Sequence, residues 1–332
     1  MPRPSALALL ILLSAGCFPA LPPGTILPTP DPPPPADPPP VLVVAIPPVV
    51  DVPPPPVVVD PPPPLTLAGG GWPLLHGDLG RTGHSLAPPI LSPRVLWKAT
   101  VGIQGWLNGP VIAGSLVLVP SSGDKHNTPD PRDGIHGLEL HTGKPRWQAH
   151  FDGDANGVAI AADRAFATSD DGHTYALSLT DGRVLWKQKG QGKVYAAPLP
   201  VGDRVIVGDA GGLLRAYAQA DGTPLWKVQL DGAIRGGASS DGSWIYAVSQ
   251  GGEAISLSLE GKERWRRALT RPGYGGARPV PIEAYSPPIV ADGTLFVPFA
   301  RDTGYDTPAL VALDAATGKT RWEARSKAAG PD

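Results

Sequence analysis

The stretch Leu313-Asp314-Ala315-Ala316-Thr317-Gly318-Lys319-Thr320-Arg321-Trp322 decides the fold, because its Gly-x-x-x-Trp ending recurs along the chain. The other four copies are Gly143–Trp147, Gly182–Trp186, Gly222–Trp226 and Gly261–Trp265. Three successive intervals between these tryptophans are about forty residues, the length of a four-stranded propeller blade. The repeat therefore predicts an all-β chain folded as a β-propeller.

Each repeat is predicted to contain four short strands. In the third repeat these are Ala197–Pro200, Val205–Val207, Leu213–Tyr217 and Pro224–Lys227. Asp221-Gly222 supplies the positive φ that a tight hairpin needs between the last two strands. The second strands are apolar without alternation, which is typical of a strand that is covered on both faces.

The tryptophans of the repeat are interpreted as structural residues that fill the gaps between neighbouring blades, each indole N–H meeting a carbonyl. Burial of such a ring contributes up to about 3 kcal/mol. The set consists of Trp97, Trp147, Trp186, Trp226, Trp265 and Trp322.

The repeats do not add up to a closed ring of complete blades. Five repeats are full, and Arg94–Trp97 adds one extra N-terminal outer strand with no hairpin before it. Propellers often close when the first strand of the chain completes the last blade. That arrangement would require the chain to stop after the third strand of the last blade, whereas Trp322 lies on a fourth strand. The sequence therefore predicts a truncated reading frame or an open, incomplete propeller.

The N-terminus is predicted to be an export signal. Residues 1–16 combine a basic start with an apolar run that is too short for a spanning helix. Leu13–Cys17 resembles the lipobox of bacterial lipoproteins, which implies lipidation of Cys17, and Phe18 in place of Asp implies transport to the outer membrane of a Gram-negative cell. We expect the anchored chain to face the periplasm, a side that the residues themselves do not fix. A plain secretory signal with an incidental cysteine is the alternative.

Residues 17–64 are predicted to be a disordered, proline-rich linker. Runs such as Pro32–Pro35 and Pro61–Pro64 favour an extended polyproline II spacer of roughly 3 Å per residue. Val41–Ile46 and Val57–Val59 interrupt it and could instead pair as strands or bind a partner. Residues 65–332 are then the propeller domain.

The chain has 28 basic and 30 acidic residues, a balance that gives no sign of a nucleic-acid partner.

The repeat ending at Trp322 resembles the pyrroloquinoline-quinone (PQQ)-type propeller repeat, and Trp72–Gly83 is similar to the opening segment of such proteins, among them the BamB-type lipoproteins of outer-membrane barrel assembly. The resemblance covers Gly71–Trp322. It implies the propeller fold, but enzymes and scaffolds share the repeat, so it leaves the function open.

No catalytic motif is found. One cysteine excludes both a disulfide of adjacent cysteines and a c-type haem. We therefore predict no catalytic residue, no metal and no cofactor, with PQQ unsupported by site residues. Eight acidic residues that precede third strands could together bind a cation, although hydrogen-bonded turns explain them better. They are Asp124, Asp130, Asp133, Asp170, Asp171, Asp209, Asp302 and Asp306.

A candidate binding face follows from the strand order, because the blade junctions and the loops between second and third strands share one end of the blades. Aromatic and arginine side chains there are typical of binding hot spots, or else they plug the channel. The candidates are Trp106, Asn108, Asn156, Tyr195, Arg235, Tyr285, Arg301 and Tyr305.

The sequence thus favours a non-catalytic, lipid-tethered scaffold that binds a protein partner at the cell envelope, in outer-membrane barrel assembly as the resemblance implies. It would contact the membrane through its lipid anchor only. Two alternatives stay open: a PQQ-dependent dehydrogenase, and a sensor domain that binds a ligand or the cell wall.

Overall fold

The described residues form five separate four-stranded antiparallel sheets, each with its strands in sequence order, and one two-stranded sheet. The computed structural model describes residues 71–85, 92–104, 109–271, 280–281, 284–298 and 308–325. The predicted signal, Cys17 and the proline-rich linker lie outside these residues. No helix long and apolar enough to cross a membrane occurs in the described part of the chain.

Each sheet, or blade, contributes one strand to each of four positions. The first strands are β1 (Val111–Ala113), β5 (Ala155–Ala161), β9 (Leu199–Val201), β13 (Ala238–Ser240) and β19 (Ile289–Ala291). The second strands are β2 (Leu116–Ser122), β6 (Arg164–Ser169), β10 (Arg204–Gly208), β14 (Trp244–Val248) and β20 (Thr294–Pro298). The third strands are β3 (Asp133–Glu139), β7 (His173–Ser178), β11 (Leu213–Ala218), β15 (Glu253–Ser258) and β21 (Pro308–Asp314). The outer strands are β4 (Pro145–His150), β8 (Val184–Lys189), β12 (Pro224–Gln229), β16 (Glu263–Ala268) and β22 (Thr320–Arg325).

The predicted propeller of four-stranded blades is confirmed. In blade 3 the first strand begins at Leu199, two residues after the predicted start. The longer interval before Trp322 contains a two-stranded extension, β17 (Thr270–Arg271) with β18 (Val280–Pro281), and no further blade among the described residues.

Apolar cores lie between neighbouring blades, as the non-alternating second strands predict. One buried cluster joins blades 1 and 2, where Phe151 stacks on Tyr175 with ring centroids 4.0 Å apart. Three further clusters join blades 2 and 3, blades 3 and 4, and blades 4 and 5. Each blade is therefore stabilised mainly by the blades beside it.

The repeat tryptophans link each blade to the next one. The indole N–H of Trp147 donates to Leu179 O at 3.2 Å, and that of Trp226 donates to Leu259 O at 2.8 Å. The ring covers the glycine of the next Gly-x-x-x-Trp hairpin, where a Cβ atom on Gly261 would lie 2.6 Å from Trp226. The same arrangement joins Trp186 to Gly222 and Trp265 to Gly318.

Trp97 takes the same place on blade 1 without belonging to a strand. Its indole N–H donates to Leu140 O at 2.7 Å, and its ring covers Gly143. The expectation of an extra outer strand at Arg94–Trp97 is corrected in this respect: these residues carry no strand assignment. A strand needs a hydrogen-bonded neighbour, and the described residues provide none there.

An axial segment, Trp72–Gly83, bonds the first strand of four blades and the residue just before that strand in blade 3. Its backbone bonds reach Ile112 of blade 1, Ile160 of blade 2, Ser240 of blade 4 and Val290 of blade 5. Blade 3 is reached by the side chain of Arg81, which donates to Pro198 O at 3.2 Å, just before β9. The segment therefore lies where the first strands converge, along the axis of the propeller.

A bulge interrupts every outer strand immediately before its tryptophan. In blade 2, Ala176 pairs with Trp186 and Leu177 pairs with Val184, so that Leu185 has no partner residue. The equivalent unpaired residues in blades 1, 3, 4 and 5 are Arg146, Leu225, Arg264 and Arg321. Such bulges increase local twist and make an exposed edge less prone to pairing.

Position in the array sets how much a repeat tryptophan stabilises the fold. Trp265 is 9% exposed and donates to Ala315 O at 2.9 Å, whereas Trp322 is 46% exposed and packs against Phe296. We expect Trp265→Phe to lower the free energy of unfolding by about 2 kcal/mol, because a buried carbonyl loses its donor. Trp322→Phe should cost less than about 1 kcal/mol. Urea denaturation of both variants measures the difference, and equal losses would contradict it.

Candidate functional site

One end of the blades, here called the junction face, contains the blade-to-blade junctions and the loops between second and third strands. The strands are antiparallel, so these two kinds of connection must lie together. The Gly-x-x-x-Trp hairpins lie at the opposite end, here called the hairpin face. The backbone of the axial segment bonds Ile160 and Ser240 near the hairpin-face ends of their strands. The side chain of Arg81 reaches toward the junction face, where it bonds Pro198, just before β9, and Ala238, at the start of β13.

Three of the predicted binding residues come together on the junction face. The guanidinium of Arg235 lies 4.4 Å from the ring centroid of Tyr195 and 5.9 Å from that of Tyr285. Its Nε donates to Gln250 Oε1 at 2.9 Å, which fixes the plane of the group. All three residues are half-buried, so the cluster combines partial desolvation with contact to solvent.

This Tyr195–Arg235–Tyr285 cluster has the chemistry of a recognition site. A guanidinium is a planar cation with five N–H donors, and aromatic faces hold it by cation–π attraction. The backbone beneath it is fixed, because Ile234 N donates to Asp209 O at 3.0 Å and Gln250 N donates to Ala233 O at 2.8 Å. A rigid Arg flanked by tyrosines is suited to binding a carboxylate or the backbone of another protein.

Asn156, by contrast, belongs to a neighbouring polar network. Its amide donates to Asp170 Oδ1 at 2.7 Å and to Val194 O at 3.0 Å. Lys193 Nζ bonds the other oxygen of Asp170 at 2.6 Å and Asn127 Oδ1 at 2.8 Å. The hydrogen bond to Asp170 raises the pKa of Lys193. Asn156 therefore joins blade 2 to the junction that follows it. Trp106, Asn108, Arg301 and Tyr305 lie outside the described residues.

Most of the acidic residues near the third strands are engaged by donors of their own loops. Asp209 is buried and accepts from Gly211 N at 2.9 Å, Gln191 N at 3.0 Å and Leu213 N at 3.1 Å, and it also pairs with Arg215. Asp133 accepts from Asp130 N at 2.8 Å, and burial raises its pKa. Across the described ranges, no group of three or more His, Cys, Asp or Glu side chains is placed to hold a metal ion. Asp302 and Asp306 lie outside those ranges.

Sequence reasoning missed Lys193 and Gln250. A signal for both exists in the aligned repeats, since Ser169-Asp170-Asp171-Gly172 and Ser249-Gln250-Gly251-Gly252 are equivalent loops. In both blades the residue after the serine bonds a cationic side chain of the adjacent junction, Lys193 or Arg235. Comparison of loop positions, rather than of single residues, would have identified these pairs.

Comparisons with known proteins connect this chain to one family. The family model described as outer membrane protein assembly factor BamB matches residues 90–215, 131–276 and 210–331. The BamB protein of Burkholderia pseudomallei is 25% identical over 245 residues, covering 71% of this chain and 60% of that protein. The chain thus spans about three fifths of the length of this relative.

Enzymes with the same repeat are also similar. The lanthanide-dependent methanol dehydrogenase of Methylacidiphilum fumariolicum is 31% identical over 140 residues, covering 36% of this chain and 21% of the enzyme. Among solved structures, quinohemoprotein alcohol dehydrogenase from Comamonas testosteroni aligns with a TM-score of 0.55 at 16% identity, covering 75% of this chain and 51% of that one. At this identity the structural likeness shows the fold alone.

Proposed function

Because the chain belongs to the family of the outer membrane protein assembly factor BamB, we propose that it is a non-catalytic propeller scaffold that holds a protein partner during outer-membrane barrel assembly. The Tyr195–Arg235–Tyr285 cluster on the junction face is the observation that carries the proposal. Tyrosine and arginine side chains in partly desolvated settings dominate the energetics of protein interfaces.

The cell envelope is the compartment that fits this role. Family membership supports an envelope location, and the sequence of residues 1–17 predicts export and lipid attachment at Cys17. Anchoring would hold the propeller at the outer membrane, facing the periplasm, and would limit the search for a membrane-bound partner to that surface.

A photo-crosslinking residue in place of Tyr195 tests the proposal in intact membranes. We expect crosslinks to a component of outer-membrane barrel assembly, identified by mass spectrometry. The matched control has the same crosslinker at Lys262, which is exposed on the hairpin face. Equal yields at the two positions, or no barrel-assembly component at position 195, would overturn the proposal.

Arg235→Ala should lower the crosslink yield at position 195 about tenfold or more, because the loss of a hot-spot arginine costs about 2 kcal/mol of binding free energy. Arg183→Ala removes the same type of side chain from an exposed position on the hairpin face and should leave the yield unchanged. Unfolding curves that match the unsubstituted chain establish that both variants remain folded. A yield unaffected by Arg235→Ala would exclude the cluster as the contact.

A PQQ-dependent dehydrogenase is the second candidate function, and the similarity to the methanol dehydrogenase is the observation that favours it. The junction-face residues that the structure describes fit this cofactor poorly. Calcium beside PQQ needs several free oxygen ligands, whereas Asp209 and Asp170 are occupied by amide donors and cationic side chains. Addition of PQQ and calcium to the purified protein, with absorbance and dye reduction as readouts, distinguishes the two functions.

A further inference from the structure

A second surface with distinct chemistry lies on the outer strands of blades 2 and 3. At the bulge, blades 1, 4 and 5 carry arginine, whereas these two blades carry Leu185 and Leu225. Leu185 is 37% exposed, Leu225 is 45% exposed, and the adjacent Val184 is 43% exposed. Aliphatic side chains thus remain in solvent at equivalent positions of two neighbouring blades, on one side of the rim.

Cationic side chains accompany these apolar residues. Lys187 and Lys189 on β8 and Lys227 on β12 are exposed, and neither strand contains a carboxylate. None of the ion pairs in the described part of the chain includes these three lysines. We call the six residues Val184, Leu185, Leu225, Lys187, Lys189 and Lys227 the rim patch.

The corresponding arginines of other blades are satisfied within the fold. In blade 4, Arg264 stacks on Trp244 at 4.2 Å, and Arg266 pairs with Glu253 at 2.9 Å and with Glu263 at 3.0 Å. In blade 5, Arg321 pairs with Asp314 at 2.8 Å. Among the five four-stranded blades, unpaired positive charge beside exposed aliphatic side chains is therefore a property of blades 2 and 3. Outside these blades, the segment before Trp97 has a similar character, with Val95 73% and Leu96 65% exposed beside the exposed Lys98.

We propose that the rim patch binds an extended segment of a partner protein in which acidic residues alternate with apolar ones. Lys187 and Lys189 alternate along β8, which matches the spacing of side chains on one face of an extended chain. The strands β8 and β12 are the last of their sheets, so their outer edges can add a strand beyond the bulge. Apolar contact supplies affinity, and the lysines select an acidic segment.

A fluorescent peptide of about ten residues that alternates valine and glutamate is the probe, and anisotropy at neutral pH is the measurement. We expect saturable binding to the full chain that weakens as salt is raised. The combined change Lys187→Glu, Lys189→Glu and Lys227→Glu should weaken binding about tenfold or more, since each exposed pair contributes modestly. The matched control, Lys144→Glu with Lys262→Glu and Lys319→Glu, makes the same charge change on blades 1, 4 and 5 and should bind normally.

Leu185→Ser with Leu225→Ser should weaken binding without changing its salt dependence, which separates the apolar contribution from the ionic one. Equal binding by the rim-patch and control lysine variants would overturn the proposal. Binding of the chain to phosphatidylglycerol vesicles but not to the peptide would overturn it in favour of a lipid surface. Tighter peptide binding after replacement of Asp31, Asp37, Asp51 and Asp60 with asparagine would overturn it in favour of the chain's own proline-rich linker, which carries these four residues.

Discussion

Replacement of Arg81 with methionine is expected to lower the free energy of unfolding by about 3 to 5 kcal/mol. Arg81 is 1% exposed, and its guanidinium donates to Leu75 O at 3.0 Å, Pro198 O at 3.2 Å and Ala238 O at 3.3 Å. Methionine fills much of the space but donates no hydrogen bond. Buried carbonyls of blades 3 and 4 and of the axial segment therefore lose their hydrogen-bond donor. Urea denaturation followed by tryptophan fluorescence measures the loss.

Burial of its charge and a strained backbone conformation both oppose the placement of Arg81 in the fold. Its three hydrogen bonds must therefore outweigh these two free-energy costs. Burial lowers its pKa to about 10, so that the side chain remains charged at neutral pH despite its surroundings. Its φ is +62°, in the left-handed region, which costs about 1 kcal/mol for a residue with a Cβ atom. Arg183→Met, at an exposed position, should change stability by about 0.5 kcal/mol or less. A similarly small effect of Arg81→Met would show that the three hydrogen bonds contribute little to the free energy of unfolding.

Substitution of alanine for Gly222 is expected to cost about 3 kcal/mol for two separable reasons. Gly222 has φ +76°, which strains any other residue, and an added Cβ atom would lie 2.7 Å from Cδ2 of Trp186. The ring must move away, which weakens its packing and the hydrogen bond from its indole N–H to Gln219 O, now 3.1 Å long. Thermal and urea unfolding measure the loss.

Gly114→Ala is the matched control for Gly222→Ala. Gly114 also has positive φ, at +56°, but a Cβ atom there would meet nothing within 4 Å. It should cost only about 1 kcal/mol, the cost of left-handed backbone. The difference between the two variants then isolates the contact between a tryptophan and the next hairpin. Equal losses would indicate that the ring adapts freely.

The blades were predictable because their signals are local. Asp221-Gly222 marks a hairpin from the φ requirement alone, and the apolar run Val205–Val207 marks a buried strand wherever it lies. The long-range role of Arg81 was not predictable from such signals. Nothing in its neighbourhood distinguishes an arginine that reaches Ala238 from one that lies in solvent, because its partners are backbone carbonyls that every sequence contains.

The candidate site was predictable in its location and less so in its connections. Strand order placed Tyr195, Arg235 and Tyr285 at one end of the blades, and the structure brings these three side chains into one cluster. The sequence did not separate Asn156 from these three residues, since strand order predicts all four at the same end of the blades. The difference depends on side-chain contacts within blade 2, where Asp170 accepts a hydrogen bond from the amide of Asn156.

The axial segment changes how the propeller is expected to unfold. Repeat arrays whose units touch only their neighbours lose end repeats one at a time. Here a single stretch of backbone bonds the first strands of blades 1, 2, 4 and 5, and Arg81 reaches across 157 residues to Ala238. Closing so long a loop costs entropy that is recovered only when the blades are assembled. The segment should therefore dock late in folding, and once docked it should make the five blades one cooperative unit that resists fraying from either end.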